Sequence, residues 1–191
     1  MIKLIIGLGN PTDQYLKTRH NAGFWLLDAL AHRYQGIWKN EKKFHGDYAQ
    51  IILNHQSIHL LKPYTFMNNS GRAVRAVARF YQIELEQILV VHDELDLPEG
   101  CARLKFDGGH GGHNGLRDII SACAGRNFYR LRLGIDRPRS HQVVDYVLKA
   151  PSKESRNAID GAIDEALAVL PVLIKDGAEK AMHQLHSRIN P

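Results

Sequence analysis

Short apolar runs alternate with amphipathic stretches along this chain, and the alternation predicts strands interleaved with helices. The run at residues 2–6 ends in a glycine and is typical of a buried strand. Residues 88–91 form a second such run, followed by a predicted polar loop of His92, Asp93 and Glu94. Residues 44–53 and 57–62 resemble a strand pair. Two or more of these strands are therefore expected to lie inside a sheet that is covered on both faces.

Five further segments complete the strand and helix pattern. Residues 101–106 and 128–135 alternate apolar with basic side chains, which predicts strands with one wet, positive face. Apolar residues recur at helical spacing in segments 23–34 and 70–81, and a shorter helix is expected near 115–123. Asn69 and Ser70 are candidate capping residues for the second of these helices.

The C-terminal part of the chain is predicted to be helical over about residues 152–187. Ser152 is a candidate cap, Pro171 is expected to interrupt or kink the long helix, and residues 178–187 are interpreted as a second short helix. Since strands and helices interleave throughout, we expect residues 1–191 to form one α/β domain. Its predicted architecture is three-layered, a twisted mixed sheet with helices on both faces.

Composition narrows the class of protein. The chain has 191 residues, of which 44% are hydrophobic and 24% charged, as in a globular domain rather than a disordered or disulfide-stabilised one. Its two cysteines, Cys101 and Cys123, form no CxxC pair, which favours a reducing cytoplasm. Neither a signal peptide nor a window of eighteen apolar residues is evident. We therefore expect a cytoplasmic protein with no membrane partner.

The positive charge is concentrated in one region. Residues 101–140 contain eight basic and three acidic side chains, an excess that equals the whole net charge of +5. A local excess of this kind points to a polyanionic partner such as nucleic acid or phosphate, although arginines on strands can also be solvated surface residues.

The segment Gly7-Leu8-Gly9-Asn10-Pro11-Thr12 nearly matches the dinucleotide fingerprint GxGxxG. Thr12 replaces the third glycine, and the next predicted helix starts too far along the chain for its N-terminus to touch a pyrophosphate. A tight turn explains the glycines as well. A third interpretation is that the turn presents Asn10 at the edge of the sheet, where α/β proteins place ligands.

Two histidines and an asparagine stand out by their position. His20 lies on a polar loop just before a helix and could act as a base near neutral pH, although a histidine at such a place is more often a cap or a surface residue. Packing explains Phe66 and Met67, but it offers no comparable reason for Asn68. His92 and Asp93 are adjacent, and because neighbours on a strand face opposite ways, we expect one of them to be structural.

The stretch Gly108-Gly109-His110-Gly111-Gly112-His113-Asn114-Gly115 has five glycines in eight residues, so its backbone can approach a ligand closely. It lacks the lysine of a phosphate-binding Walker loop, and the chain contains neither GxSxG nor HExxH. Serine and metal catalysis are therefore poorly supported, and we expect no cofactor and no metal. Histidine, carboxylate and asparagines near strand ends suit a base-activated water with amides holding the oxyanion.

Five colinear motifs together resemble the bacterial peptidyl-tRNA hydrolase family. They are GLGNPTDQYLKTRHNAGF, KPYTFMNNSG, HDELDLPEG, GGHGGHNGLRDI and FYRLRLGIDRP, and the similarity runs from about Lys3 to Val147. The resemblance implies an enzyme that cleaves the ester between a peptide and the 3′ ribose of tRNA. Its implied partner is peptidyl-tRNA, contacted at the acceptor stem and 3′ CCA end by what we expect to be a monomer.

The resemblance also implies roles for particular residues. His20 is similar to the family's general base, Asp93 to the residue that orients it, and Asn10 to the one that recognises the blocked α-amino side of the substrate. The positions that match tRNA- and peptide-contacting residues or line the same cleft are Tyr15, Phe66, Met67, Asn68, His113, Asn114, Lys105 and Arg132.

The chain departs from the family pattern at Thr12 and Asp107, where glycine is usual. We expect little from the first change, whereas an anion beside Lys105 could weaken a phosphate contact or stiffen the loop. Two alternatives stay open at this level: a non-catalytic RNA-binding module of the same fold, and a dinucleotide enzyme built on the first glycine motif.

Overall fold

The computed structural model describes residues 1–139 and 142–187, so the last four residues of the predicted domain 1–191 lie outside it. Within the described residues the chain forms one domain, and its strands and helices alternate as the sequence predicts. The strands are β1 Leu4–Gly7, β2 Lys39–Glu41, β3 Gly46–Leu53, β4 Gln56–Pro63, β5 Ile88–Glu94, β6 Ala102–Phe106 and β7 Tyr129–Gly134. The helices are α1 Ala22–Arg33, α2 Ser70–Phe80, α3 Asn114–Cys123, α4 Val143–Val147, α5 Lys153–Asp176 and α6 Ala178–His186.

The seven strands form one mixed sheet in the order β2-β3-β4-β1-β5-β7-β6. The central strands β4, β1, β5 and β7 are parallel, whereas β2, β3 and β6 join antiparallel to their neighbours. Parallel strands buried on both faces are apolar throughout, which is why β1 and the first half of β5 contain no polar side chain. The predicted α/β class and mixed sheet are confirmed.

Helices cover both faces of the sheet and divide the core into two clusters. Ile5 of β1 packs with α1, α5 and α6, whereas Leu4 and Ile6 pack on the other side with α2 and α3. This split follows from the period of two along a strand, because successive side chains leave the sheet in opposite directions. The carboxyl ends of β1 and β5 are thereby held at one edge between the two helical layers.

Two local predictions are wrong, and of the two effects expected at Pro171 the interruption does not occur. The predicted polar loop at His92–Glu94 is the end of β5, because these residues continue the pairing with β7. Pro171 does not interrupt α5, which continues to Asp176 and buries Leu170 and Leu173 on either side of the proline. One lost backbone hydrogen bond is outweighed there by packing of the apolar face against the core. Asn69 makes no capping hydrogen bond; instead the Asp118 carboxylate accepts one from the Gly71 N–H at 2.7 Å.

The predicted cap at Ser152 is present, since its hydroxyl accepts a hydrogen bond from the Ser155 N–H at 3.1 Å.

Among residues 1–139 and 142–187, no helix is both long enough and apolar enough to cross a membrane.

The glycines of the first motif serve packing between β1 and α1. A Cβ on Gly7 would lie 2.5 Å from the Gly23 carbonyl oxygen, and a Cβ on Gly23 would lie 2.6 Å from the Leu8 nitrogen. A Cβ on Gly9 would enter the ring of Phe24. The helix that follows begins at Ala22, well after the glycines, so the motif does not form the strand-turn-helix unit that a dinucleotide site requires.

We expect Gly23→Ala to lower the free energy of unfolding by about 1–3 kcal/mol, the usual cost of overpacking a filled interior. The matched control is Gly161→Ala in α5, where a Cβ meets no atom within 4 Å. That change should raise the free energy of unfolding by roughly 0.5–1 kcal/mol, because alanine loses less entropy in a helix. Urea unfolding of both variants measures the difference, and equal effects would contradict the packing role of Gly23.

Candidate active site

A cavity of about 400 Å³ opens at the carboxyl ends of β1 and β5. It gathers residues from the loop after β1, the turn before α2, the end of β5 and the start of α3. Eight of the eleven predicted site residues line it: Asn10, His20, Phe66, Met67, Asn68, Asp93, His113 and Asn114. Parallel strands deliver their carboxyl ends to one edge of the sheet, so residues more than a hundred positions apart meet there.

The centre of the cavity is a buried pair formed by His20 and Asp93. His20 lies in a short 3₁₀ turn directly before α1, and its Nδ1 is 2.9 Å from one carboxylate oxygen of Asp93 and 3.0 Å from the other. Because the carboxylate can only accept, Nδ1 carries the proton and donates it. The Nε2 of His20 is thereby left as the basic nitrogen, and it makes no hydrogen bond within the described part of the chain.

The electrostatics of the pair favour a charged carboxylate beside a basic imidazole. Burial alone would lower the pKa of His20, but the charge of Asp93 and its hydrogen bond outweigh burial and raise that pKa above the ordinary value. For Asp93, burial alone would raise the pKa, and the facing imidazoles of His20 and His113 instead lower it well below the ordinary range. The Asp93 carboxylate is therefore ionised in the folded protein near neutral pH.

His113 supplies a second hydrogen bond to the same carboxylate. Its Nε2 lies 2.8 Å from Asp93 Oδ1, and its ring centroid lies 4.8 Å from that of His20. Its Nδ1 accepts from the backbone N–H groups of Gly115 and Leu116, at 3.2 and 3.4 Å, as the N-cap of α3. An Nδ1 that accepts two hydrogen bonds holds no proton, so His113 is the Nε2–H tautomer and donates to Asp93.

His92 lies behind this arrangement and does not line the cavity. Its ring centroid is 5.1 Å from that of His113, and its Nδ1 donates to the carbonyl oxygen of Asp93 at 2.7 Å. Burial lowers the pKa of His92 to about 3, so the ring is neutral. Alternation along β5 thus places Asp93 in the cavity and His92 in the packed interior.

Asn10 is held at three points. Its backbone N–H donates to Asn21 Oδ1 at 2.8 Å, its carbonyl accepts from Asn21 Nδ2 at 2.9 Å, and its own Oδ1 accepts from the Met67 N–H at 2.8 Å. With the oxygen engaged, the Asn10 amide is oriented to present its N–H donors to the cavity. Asn21 is a supporting residue that sequence reasoning missed, and its position directly after His20 was the only available signal.

Asn68 and Asn114 differ from Asn10 in being exposed at the mouth of the cavity. The Oδ1 of Asn114 accepts a hydrogen bond from Arg117 at 3.2 Å, so its amide also presents donors. An apolar wall formed by Val143, Val144, Val147 and Leu148, around α4, faces these amides. Sequence reasoning missed this wall, because a five-residue helix has too few turns to show a periodic pattern.

Three predicted residues lie outside the walls of the cavity: Tyr15, Lys105 and Arg132. Tyr15 ends a 3₁₀ turn on the loop after β1 and is half-buried. Lys105 is exposed on the edge strand β6, and Arg132 lies on β7 with its guanidinium 3.6 Å from the carboxylate of Glu94. Since Glu94 lines the cavity, Arg132 reaches its rim through that ion pair.

A buried arginine makes hydrogen bonds to the backbone of the glycine-rich loop. Arg130 is only 2% exposed, and its guanidinium donates to the carbonyl oxygens of Gly108 and Gly109. Asp107 adopts a left-handed conformation with φ of 62°, caps the Gly108 N–H at 2.5 Å and pairs with Arg126 at 3.0 Å. The carboxylate that replaces the usual glycine is therefore engaged by its own neighbours.

Ligand atoms of His20, Asp93 and His113 lie within 4.8 Å of one another, the spacing of a possible metal site among the described residues. The hydrogen bonds among these three side chains account for their approach without an ion. Both imidazole nitrogens that face Asp93 carry protons in that arrangement, and a nitrogen must lose its proton to bind a metal. The donor set fits a hydrogen-bonded network better than a metal centre.

The fold and this cavity define an α/β protein with a histidine–aspartate pair at the edge of a mixed sheet. The sequence model of the family described as peptidyl-tRNA hydrolase matches residues 4–191. The chain is 58% identical over 188 residues to the peptidyl-tRNA hydrolase of Dichelobacter nodosus (strain VCS1703A), an alignment covering 98% of this chain and 100% of that protein. This chain belongs to the peptidyl-tRNA hydrolase family.

Solved structures agree with that assignment. The crystal structure of peptidyl-tRNA hydrolase from Acinetobacter baumannii matches with a TM-score of 0.94 at 46% identity, covering 97% of this chain and 95% of that one. A complex of peptidyl-tRNA hydrolase with N-propanol matches with the same TM-score, identity and coverage. The resemblance noted in the sequence is confirmed, and the alternative of a non-catalytic module is not favoured.

We expect His113→Ala to lower the free energy of unfolding by about 0.5–2 kcal/mol more than His113→Asn does. Asparagine can cap α3 in place of the histidine, whereas alanine cannot, and neither side chain reaches Asp93 as the imidazole does. Urea unfolding of the two variants isolates the cap. Equal stabilities would show that Nδ1 of His113 does not cap the helix.

Proposed function

We propose that this chain hydrolyses the ester between a peptide, or an N-blocked amino acid, and the 3′ ribose of tRNA. Family membership supports the reaction, and the observation that carries the mechanism is the His20–Asp93 pair at the centre of the cavity. A buried imidazole oriented by a carboxylate, with its other nitrogen free, is suited to remove a proton from water.

In the proposed mechanism, His20 Nε2 takes a proton from a water that attacks the ester carbonyl carbon. The carbonyl oxygen becomes an oxyanion, and the side-chain amides of Asn68 and Asn114 are placed at the cavity mouth to donate to it. When the intermediate collapses, the ester C–O bond breaks and the proton on His20 passes to the ribose oxygen. The products are a free peptide carboxylate, a tRNA with a free 3′ hydroxyl and one proton, the second from the water, which is released to solvent.

Asn10 is the proposed recognition residue for the peptide side of the substrate. Its oriented amide can donate to the carbonyl that blocks the α-amino group, a group that a free aminoacyl ester lacks. Phe66 and Met67 supply apolar contact beside it, opposite the wall around α4. Tyr15 contributes from the neighbouring loop in this proposal.

The tRNA is proposed to enter with its 3′ CCA end in the cavity and its acceptor stem on the basic side of the protein. Lys105 and Arg132, on the adjacent strands β6 and β7, are the proposed phosphate contacts. We further propose that the protein acts as a monomer in the cytoplasm without a cofactor.

Replacing the base should abolish most turnover. His20→Ala is expected to lower kcat at least a hundredfold, since a positioned base supplies about 10²–10⁴-fold. The measurement is hydrolysis of N-acetyl-aminoacyl-tRNA under single-turnover conditions. The matched control is His110→Ala on the glycine-rich loop, whose side chain bonds only the Gly112 N–H among described residues. Near-normal turnover by His20→Ala would reject the assignment.

The pH dependence of kcat should reflect the ionisation of the same His20–Asp93 pair. The basic form of His20 is populated above its pKa, and that pKa is raised, so kcat should fall with acid along a limb centred above the ordinary value of about 6.5. In Asp93→Asn the charge is lost and burial remains, so the limb should move to lower pH while the plateau value of kcat falls. Rates measured between about pH 5 and 8 test both shifts. A limb that does not move would show that another group titrates.

A further inference from the structure

A row of arginines follows one face of α2. Arg72, Arg75 and Arg79 are exposed, and their spacing of three and four residues places them side by side along about 10 Å of helix. The opposite face buries Ala73, Val74 and Val77 in the core. The helix contains no acidic residue that could balance the row.

The guanidinium groups of this row have no carboxylate partners within the described ranges. None of them forms an ion pair within 4 Å or a side-chain hydrogen bond, whereas Arg126, Arg132, Arg137 and Arg156 are all paired with carboxylates. Three uncompensated cations on one face repel one another, which favours an anionic partner with several charges over a single small anion.

A second groove adjoins the active site near the beginning of α2. Asn68 and Asn114 line the catalytic cavity and also this groove of about 360 Å³, which runs along α3. The groove adds Arg117, Asp118 and Ser121, and the carboxylate of Asp118 is engaged by the Gly71 N–H. A substrate leaving the cavity past Asn68 therefore meets the beginning of α2.

The far end of the row is also basic. Lys42 and Lys43 are exposed, and the Nζ of Lys43 lies 4.5 Å from the ring of Phe80 at the end of α2. Phe80 is 59% exposed and contacts Phe44 and Tyr81, and as the single aromatic residue of α2 it offers one ring rather than a series of stacking platforms. Single-stranded RNA is held chiefly by stacking on aromatics, whereas duplex RNA is held through phosphates and backbone shape.

We propose that the exposed face of α2, defined by Arg72, Arg75 and Arg79, binds backbone phosphates of the double-stranded stem of the tRNA substrate. This surface is distinct from Lys105 on β6 and Arg132 on β7, and the proposal rests on the hydrolysis proposed above. It extends the substrate contact along α2, away from the cavity, and it depends on residues outside the motifs that carry the family resemblance.

The test compares two substrates on one variant, Arg72→Gln/Arg75→Gln/Arg79→Gln. On N-acetyl-aminoacyl-tRNA, KM should rise about tenfold or more with kcat unchanged, and the salt dependence of KM should flatten by about one unit of log–log slope for each lost contact. On the same N-acetyl-aminoacyl ester carried by a CCA trinucleotide, which has no stem, KM should equal that of the unmodified protein.

Two further variants separate charge from structure. Arg72→Lys/Arg75→Lys/Arg79→Lys keeps the charges and should restore most of the affinity for the full substrate. Arg33→Gln/Lys153→Gln/Lys175→Gln removes three exposed charges from α1 and α5, on the other face of the sheet, and should change KM little. Far-ultraviolet circular dichroism and urea unfolding verify that each variant is folded.

The outcomes distinguish the two proposals. If the unmodified protein cleaves neither substrate, the proposed hydrolysis itself is wrong. If it cleaves both and the glutamine variant leaves KM for the full substrate unchanged, or raises KM equally for both substrates, the α2 surface does not bind the stem. A control variant that raises KM as strongly would show only a general effect of net charge, which also overturns the proposal.

Discussion

The site depends on one buried carboxylate. Asp93 is almost fully shielded from water, and an ionised carboxylate in such a place must be compensated by donors. Two imidazoles provide them, from His20 on one side and His113 on the other. Because each imidazole is held by this bond in one orientation and one tautomer, the carboxylate determines which nitrogen faces the cavity. The chemistry of the site follows from that constraint.

The two imidazoles can reach Asp93 only because segments of backbone pack closely against each other. His20 reaches Asp93 because α1 lies directly against the end of β1, which Gly7 and Gly23 permit by having no Cβ. His113 reaches it because the start of α3 is held near β5 by the glycine-rich loop and Arg130 beneath that loop. Gly7 and Gly23 are therefore explained by this close packing, and a dinucleotide is not needed to explain them.

Polar side chains at the cavity are oriented by hydrogen bonds with neighbouring residues. Asn21 holds the backbone of Asn10, the Met67 N–H fixes its amide, and Arg117 engages the oxygen of Asn114. In both asparagines the acceptor is occupied and the donors are left over. Amide donors converging beside a basic imidazole suit a reaction in which negative charge develops on a carbonyl oxygen. Outside the cavity, the unpaired arginines of α2 match the polyanionic substrate proposed above.

Local patterns in the sequence were sufficient to predict the α/β class, most strands and helices, and the residues that carry the family resemblance. The period of two along a strand even separated His92 from Asp93. Other features depended on contacts between distant segments: the cap of α2 by Asp118, the continuity of α5 through Pro171, the tautomer of His113 and the unpaired row on α2. Periodicity along the sequence predicts which face of a helix or strand is buried, because each side chain is buried or exposed according to its own position in that element. Hydrogen-bond partners and charge balance are properties of pairs, so only the folded chain decides them.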